Sequence, residues 1–266
     1  RSRASSQRWP LLTREISCST RLRPLKSVSV LRPESRRVAE ISVVIPTMNE
    51  GASIGAVIDE VRSALAGHDV EILTVDTNSR DRTNEIAVSK GARVLSEPRR
   101  GYGRAYKTGF AAARGTYILT LDADLTYPAS RFPDLLRALQ IGEADFVAGE
   151  RITRLSEEAM SGMHKVGNTV LNVAFRVLFR APVRDSQSGM WAFRRGILPT
   201  LEILHDGMPF SEELKVEVFR HGYRYLEIPI DYRPRVGDKK IRSLEDAFRN
   251  FAWLFRKRFG WVPSNT

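Results

Sequence analysis

The chain has 266 residues, is 42% hydrophobic and 27% charged, and carries a formal net charge of +11, a composition ordinary for a globular protein. Residues 1–39 hold ten basic residues (nine Arg and Lys26) against Glu15 and Glu34, so the remaining 227 residues carry only +3, which excludes a uniformly basic nucleic-acid-binding domain. Cys18 is the single cysteine and the four His show no paired spacing; a disulfide framework and a cysteine zinc cluster are excluded, and no run of about 18 uncharged apolar residues predicts a transmembrane helix.

The arm over residues 1–39 is rich in Arg and Ser and poor in acids. That composition fits an organellar transit peptide, a basic tether to anionic lipid or a disordered extension, and the last is the expectation. From Ile41 the texture changes. A β-branched run over 41–45, closed by Pro46, predicts a buried strand. Ile54, Val57, Ile58, Val61 and Leu65 predict a helix over 53–66, with Gly67 beyond its end. Strands over 70–75, 92–95, 116–121 and 144–148 follow, separated by helices over 81–90, 102–114 and 128–139. This alternation predicts parallel βαβ units with right-handed crossovers. After residue 150 the alternation breaks: a helix over 163–179, a strand over 188–193, a helix over 211–220, a strand over 223–230, a basic loop over 233–242 and a last helix over 244–259.

In such sheets ligands bind beyond the carboxyl ends of the strands. Pro46-Thr-Met-Asn-Glu50 follows the first strand, Asp76-Thr-Asn-Ser-Arg-Asp81 the second, Asp122-Ala-Asp124 the fourth and Gly149-Glu-Arg151 the fifth. Two carboxylates at i and i+2 just past a hydrophobic strand can converge on one hard cation such as Mg²⁺ or Mn²⁺, which shares its shell with substrate phosphates. Gly101, Gly103 and Gly109 do not form a dinucleotide fingerprint: position 106 is Tyr and the segment does not follow the first strand. Two readings stand for them, close helix packing and a turn that lets Arg99, Arg100, Arg104 and Lys107 face phosphate.

Taken in order, Pro46-x-x-Asn-Glu50, Val75-Asp76…Ser79…Asp81-x-Thr83, Gly101-x-Gly103…Ala105…Gly109 and Asp122-Ala-Asp124 resemble the inverting family-2 glycosyltransferases of the Asp-x-Asp type. Gly149-Glu-Arg151, 185–193 (Asp-Ser-Gln-Ser-Gly-Met-Trp-Ala-Phe), Glu213, 227–230 (Glu-Ile-Pro-Ile) and Arg235-x-Gly-x-x-Lys240 resemble, more narrowly, the dolichyl-phosphate and polyprenyl-phosphate mannose and glucose synthases. The resemblance covers about residues 40–245. It implies a Rossmann-like α/β nucleotide-sugar-binding fold with a mostly parallel central sheet flanked by helices. It divides the chain into the arm 1–39, a catalytic domain 40–243 and a basic aromatic C-terminal helix and tail 244–266.

The same resemblance implies roles. Pro46, Thr47, Glu50, Asp76, Asp122, Ala123 and Asp124 bind the nucleotide sugar, GDP-mannose or UDP-glucose. Asp122, Asp124 and Thr126 hold Mg²⁺ or Mn²⁺. Arg151, Lys165, Arg235 and Lys240 bind the phosphate of a polyprenyl or dolichyl acceptor, and Asp124, Arg151, Arg235 and Lys240 are the catalytic set. Met48, Thr77 and Thr126 depart from the family pattern. The departures at Thr77 and Thr126 leave open the identity of the sugar nucleotide, the metal shell and a soluble or glycan acceptor in place of the lipid. The implied setting is the cytoplasmic face of a membrane, held peripherally or by an anchoring partner subunit. The residue types suit the chemistry: metal, Arg and Lys neutralise a leaving diphosphate, and a phosphate acceptor is already ionised, so no general base is needed. Membrane contact is expected from the 163–179 helix and from a C-terminal stripe of Leu244, Phe248, Phe251, Phe255 and Phe259 with interleaved Arg249, Arg256, Lys257 and Arg258. The alternative for that stripe is packing on the domain.

Overall fold

A computed structural model describes residues 39–154, 162–236 and 243–260; the arm, Lys240 and the tail beyond 260 lie outside the described residues, as do the side chains of Lys165, Leu244 and Phe248. The elements run β1 (Ile41–Thr47), α1 (Ile54–Ala64), β2 (Val70–Asp76), α2 (Thr83–Ser89), β3 (Arg93–Ser96), α3 (Tyr102–Ala112), β4 (Tyr117–Thr120), α4 (Phe132–Gln140), β5 (Phe146–Glu150), α5 (Gly162–Phe179), β6 (Trp191–Arg194), α6 (Phe210–Arg220), β7 (Tyr225–Pro229) and α7 (Ser243–Arg258). They form one seven-stranded sheet in the order β3-β2-β1-β4-β6-β5-β7. The expected α/β architecture with a mostly parallel sheet is present. Every ladder is parallel except the two made by β6, which runs antiparallel between β4 and β5.

β1 is apolar except for Ser42 and Thr47 because both its faces are covered. Ile41, Val43 and Ile45 pack with Val57, Ile58 and Val61 of α1 and Leu135 and Leu139 of α4. Val44 faces the other way, with Tyr106 and Phe110 of α3 and Phe210 and Leu214 of α6. The strand runs through Pro46 rather than stopping there. β1 pairs with β4 only as far as Val44, so Pro46 stands where one side of the strand has no ladder partner, a position that tolerates a missing N–H. The strand expected over 188–193 starts at Trp191, because Ser188–Met190 is held out as a loop. The 3₁₀ turn over Arg195–Thr200 was not foreseen.

The glycines of α3 serve close packing. A Cβ on Gly103 would lie 2.5 Å from Cβ of Phe210, one on Gly101 would collide with the Asp206 carbonyl, and one on Gly109 would collide with Val44. Gly109→Ala is therefore expected to push α3 off the sheet and cost about 1–3 kcal/mol, read as a fall of roughly 2–10 °C in Tm.

Candidate functional site

The carboxyl ends of β1, β2 and β4 present the expected residues together. Thr47 pairs with Asp76 across the β1/β2 ladder, and both are buried. The Asp76 carboxylate is bound on all sides by its own neighbourhood: Thr47 Oγ1 donates at 3.3 Å, the Ser79 amide at 3.1 Å and Asn84 Nδ2 at 3.0 Å. Loop stitches complete the floor. The amides of Asn49, Glu50 and Gly51 donate to Ser79 Oγ, Thr83 Oγ1 and Asp81 Oδ2, and the Arg80 amide returns a bond to Asn49 Oδ1. Asn49 and Asn78 adopt φ of 52° and 54°, a left-handed turn conformation that Asn tolerates. Pro46 and Glu50 line this floor half-buried.

After β4 the chain turns at Asp122-Ala123-Asp124, with Leu125 at φ 65°. Asp124 is 2% exposed. Its Oδ1 accepts from the Thr126 amide at 3.1 Å and the Thr126 hydroxyl at 2.6 Å. Its Oδ2 lies 2.7 Å from an Arg235 guanidinium nitrogen, an ionic contact without hydrogen-bond alignment. The segment after β7 makes this possible: the Arg233 amide donates to the Thr126 carbonyl and the Val236 amide to the Asp124 carbonyl. Asp122 is backed by the Tyr102 hydroxyl, at 3.4 Å from its Oδ1, and by Gly189, where a Cβ would reach within 3.6 Å of the carboxylate. Burial of its carboxylate first, and the Asp124 charge second, push Asp122 up to about 7, with Arg235 and Arg151 pulling the other way. Two neighbouring carboxylates, one with an oxygen that accepts no aligned hydrogen bond, fit a divalent cation. Among the described residues no third His, Cys, Asp or Glu joins them.

Arg151 stands just past β5, with Gly149 and Glu150 inside the strand rather than beyond it. Instead of projecting openly, it is 7% exposed. Nε and Nη2 grip Asp185 at 2.7 and 2.8 Å, its amide binds the same carboxylate, and the guanidinium lies 5.2 Å over the Tyr232 ring. Asp185 and its 185–189 loop enter the site through this grip on Arg151. The only available signal was the motif itself, since the pairing spans 34 positions. The cations that were open to a phosphate-facing reading turn elsewhere: Arg99 and Arg104 pair with buried Glu97, and Lys107 with Asp206 and the Leu204 carbonyl. Arg100 is exposed.

The C-terminal stripe divides. Leu254, outside the expected stripe, is the buried anchor, packed with Leu171, Phe175 and Val216, while Phe251 is half-buried and Phe255 and Phe259 are exposed. Lys257, one of the cations interleaved in the stripe, is buried in an ion pair with Glu217 at 2.9 Å and lies 3.4 Å from Glu213. Between α5 and α7 runs an apolar groove of ≈ 410 Å³ lined by Val170, Val173, Val177, Phe251 and Phe255. Among the described residues no helix is long and apolar enough to cross a membrane.

The family model of glycosyl transferase family 2 matches residues 42–201. The dolichyl-phosphate hexose transferase of Haloferax volcanii is 35% identical over 202 residues, covering 76% of this chain and 86% of that protein. The low-salt glycan biosynthesis hexosyltransferase Agl6 of the same organism is 34% identical over 239 residues; the match covers 88% of this chain but only 58% of that protein's length. Among solved structures, glucosyl-3-phosphoglycerate synthase from Mycobacterium tuberculosis, in complex with Mn²⁺, UDP and phosphoglyceric acid, superposes with a TM-score of 0.68 at 25% identity, covering 85% of this chain and 80% of that one.

Proposed function

The chain belongs to glycosyl transferase family 2, and from that premise we propose that it transfers a hexose from a nucleotide sugar, UDP-glucose or GDP-mannose, to a polyprenyl or dolichyl phosphate with inversion at the anomeric carbon. The observation that carries the reading is the Asp122/Asp124 pair at the end of β4 with Arg235 closed onto it. The dolichyl-phosphate acceptor of a relative that this chain matches over most of both lengths supports the choice of substrate.

In this reading Pro46, Thr47, Glu50 and Asp76 form the nucleoside side of the pocket and Ala123 its floor between the two carboxylates. Asp122 and Asp124 hold Mg²⁺ or Mn²⁺, which when bound neutralises charge on the diphosphate. Thr126 orients Asp124 through its hydroxyl and amide and has a lone pair left for the ion. Arg235 exchanges its contact with Asp124 for substrate phosphate. Arg151, fixed by Asp185, lends positive potential to the acceptor side, joined by Lys165 and Lys240. The acceptor oxygen attacks C1, the bond from C1 to the diphosphate oxygen breaks, and the nucleoside diphosphate leaves with the electron pair. Because the acceptor is ionised, positioning replaces deprotonation.

We extend the reading to location. The body 40–243 works at the cytoplasmic face of a membrane, peripherally or beside an anchoring subunit. The 244–266 segment, the exposed valines of α5 and the α5–α7 groove meet the lipid. Val173→Glu with Phe255→Glu is expected to reduce co-sedimentation with anionic vesicles roughly tenfold through lost apolar burial, leaving metal-dependent nucleotide binding unchanged.

A soluble phosphorylated acceptor is the second reading, favoured by the phosphoglyceric acid bound in the structural neighbour. Radiolabelled UDP-glucose and GDP-mannose, each offered with a short polyprenyl phosphate and Mn²⁺, separate the two. Label entering the organic phase supports the lipid acceptor. Label that stays aqueous with polyprenyl phosphate but moves onto a soluble phosphate overturns it.

A further inference from the structure

α6 carries a lysine that the proposed chemistry does not use. Lys215 is fully buried, yet its ammonium donates to three main-chain carbonyls of one loop: Asp185 at 2.7 Å, Ser186 at 2.9 Å and Ser188 at 3.2 Å. A buried ammonium persists only where acceptors and anions surround it. Asp185 and Glu227 supply the anions; Arg151 and Glu212 complete the charged surroundings.

The loop that Lys215 grips touches the site at both ends. At one end the Asp185 carboxylate fixes Arg151. At the other, Gly189 lies behind Asp122, its amide bonded to the Tyr127 hydroxyl and its carbonyl accepting from Thr120 Oγ1. Between them the Ser188 carbonyl is shared with Trp191 Nε1, Ser186 is bound through its amide and hydroxyl to Asn172, and Gln187 bridges Glu212 and Asn250. The Asp185 amide is bound by Glu227, so bonds from several elements hold the loop along its length, and the ammonium gathers three of its carbonyls at one point.

We infer that Lys215 is a positioning residue: its ammonium sets the 185–189 loop and so fixes the spacing between the Arg151 guanidinium and the Asp122 carboxylate across which the hexose is transferred. The inference rests on the glycosyltransferase reading but not on the identity of the acceptor. Its nucleotide-side consequence is small, because the floor built from Thr47, Asn49 and Asp76 shares no contact with Lys215 and Asp122 keeps its own contact with the Tyr102 hydroxyl, so the displacement falls on Arg151. Loss of the ammonium thus separates turnover from donor binding.

The test compares two variants that lose the ammonium, Lys215→Met, which keeps the stem and removes the donors, and Lys215→Gln, which removes the charge and shortens the reach, with Lys215→Arg, which restores a charged donor. Turnover, donor KM and calorimetric affinity for UDP-glucose with Mn²⁺ are measured on the full chain. Lys215→Met is expected to lower kcat about 30-fold or more with donor affinity within threefold of wild type, and Lys215→Arg to recover part of kcat. If Lys215→Met does not fold, Lys215→Gln carries the same comparison. Wild-type kcat in a folded Met or Gln variant overturns the inference, as does a parallel loss of kcat and donor affinity, which marks general loosening. If the wild type itself transfers no hexose to polyprenyl phosphate, the lipid acceptor is wrong. The same variants are then compared by nucleoside diphosphate release to water or to a soluble phosphate, where the same split is expected.

Discussion

Asp124→Asn lowers kcat/KM by about 10³-fold and removes metal-dependent nucleotide binding, while leaving Tm at or above the wild-type value. Asn preserves the acceptor for the Thr126 amide and hydroxyl, so the turn keeps its shape. It deletes the charge that meets Arg235 and presents an amide nitrogen to a cation instead. It also removes the neighbouring charge that adds to burial in driving Asp122 up. A site whose carboxylates repel each other is held for chemistry at a cost in stability, so activity and stability move in opposite directions. Steady-state assays with Mn²⁺, calorimetry and thermal unfolding of the same preparation check all three. A variant that keeps full activity removes the metal site from the account.

Asp185→Ala has the larger effect on folding. Asp185 is completely buried and accepts three bonds from Arg151. Removing it leaves a guanidinium enclosed without its anion, which costs about 3–5 kcal/mol and lowers Tm by roughly 6–20 °C. The pH dependence has a definite sign. Burial pushes the Asp185 carboxyl up, but the Arg151 charge and hydrogen bonds prevail and hold it below its ordinary 3.8. The stabilisation is therefore complete at neutral pH and is lost as pH falls beneath that value. Urea titrations at descending pH should show the gap between wild type and Asp185→Ala closing below about pH 4. Asp185→Ala with Arg151→Met recovers part of the loss, because the stranded charge is gone.

What was legible in the sequence follows from which interactions are local. The first half alternates apolar strands with amphipathic helices, each bounded by Gly or Pro, so β1 to β4 and α1 to α4 could be read with errors of a few residues. Because ligands collect at strand carboxyl ends, Thr47, Asp76, Asp122 and Asp124 could be picked out from position alone. The second half depends on contacts distant in sequence. β6 enters between β4 and β5 in the opposite direction, and nothing in its apolar run encodes that direction. α6 is recognisable as a helix, but Glu212, Glu213, Lys215 and Glu217 are all buried, where such residues are ordinarily exposed. Each meets a partner from another element: Gln187 for Glu212, which burial pushes up to about 8, the Leu204 and His205 amides for Glu213, the 185–188 carbonyls for Lys215, Lys257 for Glu217. Arg151 and Lys257 are likewise drawn onto buried acids distant in sequence, Asp185 and Glu217.

The reaction itself leaves a mark on phosphorus. A polyprenyl phosphate incubated with the sugar nucleotide, Mn²⁺ and the full chain should show its phosphomonoester phosphorus resonance replaced by that of a phosphodiester, with proton couplings of a β-linked hexose and no conversion when Asp124→Asn replaces the wild type. An unchanged phosphomonoester, or an α-linked product, would contradict inverting transfer to a lipid phosphate at the Asp122/Asp124 site.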